Sequence, residues 1–252
     1  LFQNAFGAAL VSFLAGIKER VGYARDMRSA LLTKAVPVSV EITKKHQVFY
    51  YLNIIKALGA KMPENPVPKI YITATEAASA RAFLEREGLS GKPVFGVAPG
   101  AAFGPAKRWP VERFASVLKG LVDEYKGGAL VFGGPDDKEA CAGVKAALPK
   151  AIDLSGKMTL RESIALVALA SVFITNDSGP MHLAAAIGVP TVGVFGSTED
   201  SLTGPVGPKA AVVREKIECS PCFKRECPFG HYDCLKRVEA KSVLARAREM
   251  MK

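Results

Sequence analysis

The stretch that decides the fold is Asn176-Asp177-Ser178-Gly179-Pro180-Met181-His182, which stands between two apolar runs, Val172–Thr175 and Thr191–Phe195. Both runs are rich in β-branched and aromatic residues, which predicts two buried strands. A short helix is predicted between them, because Pro180 suits the first turn of a helix and Gly188 suits its end. The pattern therefore predicts a strand, a tight turn, a short helix and a second strand.

The polar residues at this helix start predict a ligand site. A helix start presents unpaired N–H groups and the positive end of the helix dipole, so it binds anions, and phosphate above all. Gly179 lets a ligand approach the backbone, while Asp177 and His182 flank the turn. Two plainer interpretations stay open, namely Asp177 as a helix cap and His182 as a half-buried histidine.

A second candidate loop follows the predicted strand Val94–Ala98 and contains Gly100, Gly104 and Lys107. Its spacing is not that of a Walker loop, which requires G-x4-G-K-[ST]. A flexible loop that carries a cation can still meet phosphate oxygens. The alternative is that Lys107 is an ordinary solvated lysine.

The third candidate loop, Gly133–Asp137, follows the predicted strand Ala129–Phe132. It lacks the G-x-G-x-x-G pattern and the acidic residue that an NAD site requires, which argues against a dehydrogenase. A carboxylate such as Asp137 could accept hydrogen bonds from ribose hydroxyls. Capping of the following helix by Asp137 is the equal alternative.

Two of these segments, Ala98–Pro110 and Asn176–Ala186, together resemble the family-9 glycosyltransferases, the lipopolysaccharide heptosyltransferases, and the heptosyltransferase II branch in particular. The resemblance implies an α/β chain of GT-B type, with Rossmann-like parallel sheets and helices on both faces. It also implies inverting transfer of L-glycero-D-manno-heptose from ADP-heptose to the lipopolysaccharide inner core, without a metal or other cofactor. Another GT-B sugar-nucleotide enzyme, such as an epimerase, and a nucleotide-sugar-binding module remain as alternatives.

The resemblance also implies roles for the loop residues. Lys107 would contact the diphosphate, Asp137 would bind the ribose, and His182 would lie beside the diphosphate or the sugar. Asp177 is expected to face the sugar hydroxyls, because its negative charge would repel phosphate. Lys107 and the helix start would also stabilise the departing ADP. The family's general base is an Asp near the start of the N-terminal domain, and no matching Gly-Asp segment occurs here, so we expect it upstream of Leu1. A truncated chain of this kind is expected to be inactive alone. The full nucleotide-sugar-binding set predicted is Gly100, Gly104, Lys107, Asp137, Asp177, Ser178, Gly179 and His182.

A proline-rich stretch, Met62–Lys69, predicts a domain boundary. Residues 1–66 are predicted to be the remainder of an incomplete N-terminal Rossmann-like acceptor domain. Residues 67–252 are predicted to form the C-terminal Rossmann-like nucleotide-sugar-binding domain. Strands and helices alternate after the boundary, which predicts a parallel sheet with ligand sites above the carboxyl ends of its strands.

The net charge of the chain limits the kinds of partner that we expect. The chain of 252 residues has a formal net charge of +10, and its first 45 residues carry seven lysines and arginines against three acidic residues. This excess suits an acidic lipopolysaccharide-precursor acceptor and peripheral contact with an anionic membrane face. No nucleic-acid-binding motif is present, so nucleic acid is not expected as a partner.

The longest uncharged apolar run, Ala5–Ile17, is too short to span a bilayer. We therefore expect a cytoplasmic protein that meets the inner membrane peripherally.

Four of the five cysteines, Cys219, Cys222, Cys227 and Cys234, cluster near His231. The C-x2-C pair fits a zinc site, but the second pair lacks the usual spacing. Disulfides are disfavoured in a cytosolic protein. Free or buried thiols without a metal are therefore the main prediction, and structural zinc is the alternative.

Overall fold

The computed structural model describes the whole chain, Leu1–Lys252. Its residues separate into two compact units, 1–66 with 201–203, and 67–200 with 204–252. None of its helices is both long enough and apolar enough to cross a membrane.

The smaller unit contains a two-stranded parallel sheet, β1 (Val21–Tyr23) with β2 (Lys34–Val36). A small core of Tyr23, Val36, Tyr50 and Ile54 holds this sheet against a helix. The helices of the unit are α1 (Phe6–Leu14), α2 (Val40–Thr43) and α3 (Gln47–Ala57).

Arg28, one of the basic residues counted toward an acidic partner, is fully buried in this unit. Its guanidinium donates to the backbone carbonyls of Tyr23 and Gln3 and to Asn4 Oδ1. An internal arginine of this kind satisfies backbone acceptors, so it does not contribute to a binding surface.

The larger unit is built on a six-stranded sheet whose strands are all parallel. The strand order is β5-β4-β3-β6-β7-β8, which is the order of a doubly wound dinucleotide-binding sheet. The chain winds outward in one direction from β3 and in the other from β6, so these two neighbours form the switch point. The strands are β3 (Val94–Ala98), β4 (Gly128–Val131), β5 (Ile152–Asp153), β6 (Val172–Asn176), β7 (Thr191–Phe195) and β8 (Ala210–Arg214).

Helices cover both faces of this sheet, because successive strand residues point to opposite faces and nearly all are apolar. Phe95 and Val97 of β3 belong to one core cluster, while Val94 and Ala98 belong to the other. The helices of the first face are α5 (Val111–Tyr125), α6 (Lys138–Ala147) and α11 (Ala240–Met250). Those of the second face are α4 (Ala74–Arg86), α7 (Leu160–Val167) and α8 (Gly179–Ile187). The short α10 (Asp233–Lys236) also belongs to this unit, while residues 201–203 of the short α9 (Asp200–Thr203) are grouped with the smaller unit.

The structure confirms the strand, turn, helix and strand predicted around Asn176. Strands β3 and β7 have the predicted bounds. Helix α7 begins with a capping box, in which Thr159 Oγ1 accepts from Glu162 N and the Glu162 carboxylate accepts from Thr159 N. Helix α4 and strand β8 had no clear signal in the sequence.

Candidate functional site

The candidate site lies at the switch point between β3 and β6, where the loops that leave these neighbouring strands diverge. Asn176, the last residue of β6, is fully buried and joins the two loops. Its Nδ2 donates to Pro99 O at 2.7 Å and Gly100 O at 3.3 Å, and its Oδ1 accepts from Trp109 N at 3.0 Å. This side chain fixes both ends of the loop that carries Lys107.

A cleft of about 500 Å³ opens beside this junction. Its volume is within the usual range of small-molecule sites. Four of the predicted site residues line it, and they come from three different loops: Gly100, Asp137, Ser178 and Gly179. The rest of the wall is mainly apolar and includes Phe132, Met158, Leu160, Ile164, Val167, Phe173, Leu183 and Ile187.

The start of α8 faces this cleft without a side-chain cap. Ser178 is the N-cap residue, and its hydroxyl makes no capping bond to the helix. It bonds instead toward Thr175 Oγ1 and Asn176 O, each at 3.3 Å. A Cβ added at Gly179 would meet no atom within 4 Å. The exposed N–H groups of this first turn are therefore available to an anion.

Asp177 is not the helix cap, contrary to the plainer interpretation. Its Oδ2 accepts from Thr198 Oγ1 at 2.6 Å and pairs with Lys107 Nζ at 2.5 Å. The side chains of Asp177 and Lys107 are only 4% and 13% exposed, so this ion pair is largely shielded from solvent. The Lys107 ammonium also lies 4.8 Å from the centre of the Phe103 ring. Lys107 is thus a held cation and not the solvated lysine of the alternative.

Asp137 belongs to the 3-10 turn Pro135–Asp137 that precedes α6. Its Oδ2 accepts from Gly134 N at 3.0 Å, so it caps this turn and makes no side-chain cap for α6. A Cβ on Gly100 would lie 2.0 Å from Asp137 Oδ1. The absence of a side chain at Gly100 therefore allows the Asp137 carboxylate to reach the cleft wall.

The structure separates the predicted residues into two groups. Gly104, Lys107, Asp177 and His182 do not line the cleft. Lys107 and Asp177 pair beside it, Gly104 belongs to the Lys107 loop, and His182 lies exposed on α8.

The four clustered cysteines line one small cavity together with Ser197 and His231. All five cysteines are free. No group of three or more His, Cys, Asp or Glu side chains is arranged to hold a metal ion. Burial raises the pKa of Cys234 to about 11, while the backbone N–H of Tyr232 lowers the pKa of Cys227.

Sequence reasoning missed three kinds of residue in this site. The apolar wall from α7 has the same periodicity as an ordinary core helix, so the sequence carries no signal that it lines a cleft. Thr198 follows β7 and meets Asp177 only through the pairing of β6 with β7. Asn176 belongs to the motif, but it joins two loops only because β3 lies beside β6 in the sheet, which the sequence does not show.

Comparison with known proteins identifies the class of this chain. The profile of glycosyltransferase family 9, the heptosyltransferases, matches residues 1–233, and the chain belongs to this family.

The similar proteins agree with this class. The chain is 33% identical over 261 residues to a lipooligosaccharide heptosyltransferase 2 of Haemophilus influenzae, with 100% of the chain and 75% of the relative covered. It is 31% identical to the lipopolysaccharide heptosyltransferase 2 of Escherichia coli, again over the whole chain and 74% of the relative. The solved structure of the Escherichia coli ADP-heptose lipopolysaccharide heptosyltransferase II superposes with a TM-score of 0.83 at 29% identity, covering 99% of this chain and 75% of that one. The larger unit thus has the parallel sheet and two helical layers of GT-B-type glycosyltransferases.

Proposed function

We propose that the protein transfers L-glycero-D-manno-heptose from ADP-heptose to the inner core of lipopolysaccharide, with inversion at the anomeric carbon. Family membership and the heptosyltransferase 2 relatives support this activity. The observation that carries it is the composition of the cleft, which combines an apolar wall, the carboxylate of Asp137 and the uncapped start of α8. These three parts match a purine, a ribose and a diphosphate.

This match supports the following position for the donor. The purine packs against the α7 side of the cleft, near Met158, Ile164 and Val167. The ribose hydroxyls donate to Asp137, and the diphosphate lies on the first N–H groups of α8 at Gly179. The sugar then lies toward the paired Lys107 and Asp177.

The chemistry follows from where negative charge develops. As the bond between the anomeric carbon and the phosphate oxygen breaks, charge grows on the leaving ADP. Lys107 and the α8 helix start lie beside the diphosphate once the donor is bound, so they stabilise this charge as it develops. We therefore propose that the protein itself supplies the positive charge and that transfer needs no metal ion. Because the Lys107 ammonium is paired with Asp177 in this structure, donor binding must shift part of its interaction toward phosphate.

For the acceptor, we propose contact with the basic residues of the smaller unit and, through them, with an anionic membrane face. This unit keeps an excess of exposed positive charge even though Arg28 is buried. Clusters of lysine and arginine attract anionic headgroups and phosphorylated sugars. The exposed basic residues of this unit are Lys18, Arg25, Lys34, Lys44, Lys45, Lys56 and Lys61.

A donor panel tests the proposed function. The full-length protein is incubated with ADP-heptose or with UDP-hexoses, with and without lipopolysaccharide precursor that lacks heptose, and products are followed by mass spectrometry. We expect heptose to be added to the acceptor from ADP-heptose only. Isomerised ADP-heptose in the absence of acceptor would favour an epimerase instead. Binding of ADP-heptose without any turnover would favour a binding module.

Replacement of Asp137 by asparagine is expected to weaken ADP binding by about tenfold. A hydrogen bond to a charged group contributes about 1.5–3 kcal/mol, and an amide oxygen can still accept one of the two ribose hydroxyls. The amide oxygen can also keep the bond from Gly134 N, so the turn should remain intact. Calorimetric titration with ADP measures the change, and Asp136→Asn in the same turn is the matched control.

A second ligand makes this prediction specific to ribose. ADP in which the ribose lacks both ring hydroxyls should bind the wild type and Asp137→Asn with nearly equal affinity. A tenfold difference that persists with this analogue would show that Asp137 does not contact the ribose.

A further inference from the structure

We propose that Arg225 is a positioning residue for the phosphate loop, residues 100–107, and that it acts on the reaction through Lys107. The inference rests on the proposed function of Lys107. It assigns a role to the cysteine-containing segment, residues 217–232, which we call the brace segment.

The Arg225 side chain holds the phosphate loop from outside. Its Nε donates to Phe103 O at 2.6 Å, and its Nη2 donates to Ala102 O at 3.3 Å. Its guanidinium carbon lies 5.6 Å from the centre of the Phe103 ring. The same ring lies 4.8 Å from the Lys107 ammonium, so Arg225 and Lys107 share one aromatic neighbour.

The backbone of Arg225 makes a second attachment to the loop. Ala106 N donates to Arg225 O at 3.1 Å, one residue before Lys107. Gly104 has a φ of +142°, and a Cβ added to it would lie 2.5 Å from the same Arg225 oxygen. A glycine is therefore needed at 104 both for its backbone angle and for the close approach of the brace segment.

The brace segment is itself anchored beside the partner of Lys107. Phe223 N donates to Ser197 O at 2.8 Å, and Ser220 Oγ donates to Gly196 O at 2.6 Å. Residues 196 and 197 lead directly to Thr198, which donates to Asp177. The segment thus connects the loop that holds Lys107 with the loop that orients Asp177.

The contacts of Arg225 limit the conformations of the loop that carries Lys107. A lysine on an exposed glycine-containing loop has many accessible conformations, and only a few place its ammonium where the leaving phosphate charge develops. A misplacement of about 1 Å can cost on the order of 100-fold in rate. Arg225 restricts the loop through two carbonyls and one ring, so its removal should reduce catalysis without removing any group that touches the donor.

A double-mutant cycle tests this assignment. Arg225→Ala is expected to lower kcat/KM for ADP-heptose by about tenfold in the wild-type background, since part of the loop ordering is lost. In the Lys107→Ala background the same change should cost less than about threefold, because there is no ammonium left to position. Arg225→Lys, which can reach only one carbonyl, should recover part of the loss, and Lys224→Ala on the same exposed segment should have no effect.

Hydrogen exchange provides a readout that does not depend on any donor. Amides of residues 100–107 should exchange faster in Arg225→Ala than in the wild type, while peptides from α5 and β6 should be unchanged. Equal kinetic losses in the two backgrounds, or unchanged exchange in the loop, would overturn the positioning role. Failure of the wild type to use ADP-heptose would instead overturn the proposed function, and the exchange result would still decide the role of Arg225.

Discussion

In the full-length protein, Lys107→Ala is expected to lower kcat/KM for the donor by about 10²–10³-fold, which is the usual effect of removing one group that stabilises developing charge. The structure strengthens this expectation, because the Lys107 side chain is 13% exposed and its ammonium is held by Asp177 and the face of Phe103. Steady-state kinetics with ADP-heptose and a heptose-deficient acceptor measure the loss. Lys119→Ala, an exposed lysine on α5, is the control and should leave the rate unchanged.

A loss of folding must be separated from a loss of catalysis in this variant. Removing Lys107 leaves the buried Asp177 carboxylate with Thr198 as its remaining partner, and an unpaired buried charge is destabilising. Adding Asp177→Asn to Lys107→Ala should therefore raise the melting temperature without restoring activity. A near-normal rate in folded Lys107→Ala would show that another group stabilises the leaving ADP.

Asn176→Asp is expected to lower the free energy of unfolding by about 3–5 kcal/mol, because it buries a charge without a compensating partner. The Asn176 amide donates to two carbonyls, Pro99 O and Gly100 O. An ionised carboxylate at this position has no hydrogen to donate, so it would face the two carbonyl oxygens as a third acceptor. Urea unfolding at pH 7 measures the change.

Asn176→Ala is the matched control, since it removes the side-chain partner of Pro99 O, Gly100 O and Trp109 N without adding a charge. It should cost about 1–3 kcal/mol, and the additional loss in Asn176→Asp gives a lower limit for the contribution of the charge. The introduced carboxyl should have a raised pKa in the folded state, because burial opposes its ionisation. The extra destabilisation should therefore grow as pH rises above the unfolded value of about 3.9 and shrink below it. Equal losses for both variants at pH 7 would contradict this account.

Much of the fold could be predicted because local signals agreed with the final packing. The β-branched run that begins at Val172 predicted a strand, and Gly188 predicted the end of the following helix. The observed strand β6 and helix α8 have nearly these bounds. Helix α4 was not predicted because only two of its residues are buried, so its sequence shows little apolar periodicity. Strand β8 was not predicted because it lies at the edge of the sheet, where most of its residues are only half-buried.

The sequence by itself determined the class of fold and indicated the loops around the candidate site. Strand and helix periodicity and the turn residues act over a few neighbouring positions, so they can be read without the rest of the chain. The paired motifs around Lys107 and Asp177 were also sufficient to indicate the family.

Only the tertiary structure decided which contacts each of these loop residues makes. Asp177 turns to Lys107 and Thr198 instead of capping α8, because strands that are distant in sequence end side by side at one edge of the sheet. Asp137 reaches the cleft because Gly100 has no side chain to block it. Arg225 fastens the phosphate loop from more than a hundred residues away. Such contacts depend on strand order and on the space left between packed elements, and neither property is encoded in local spacing.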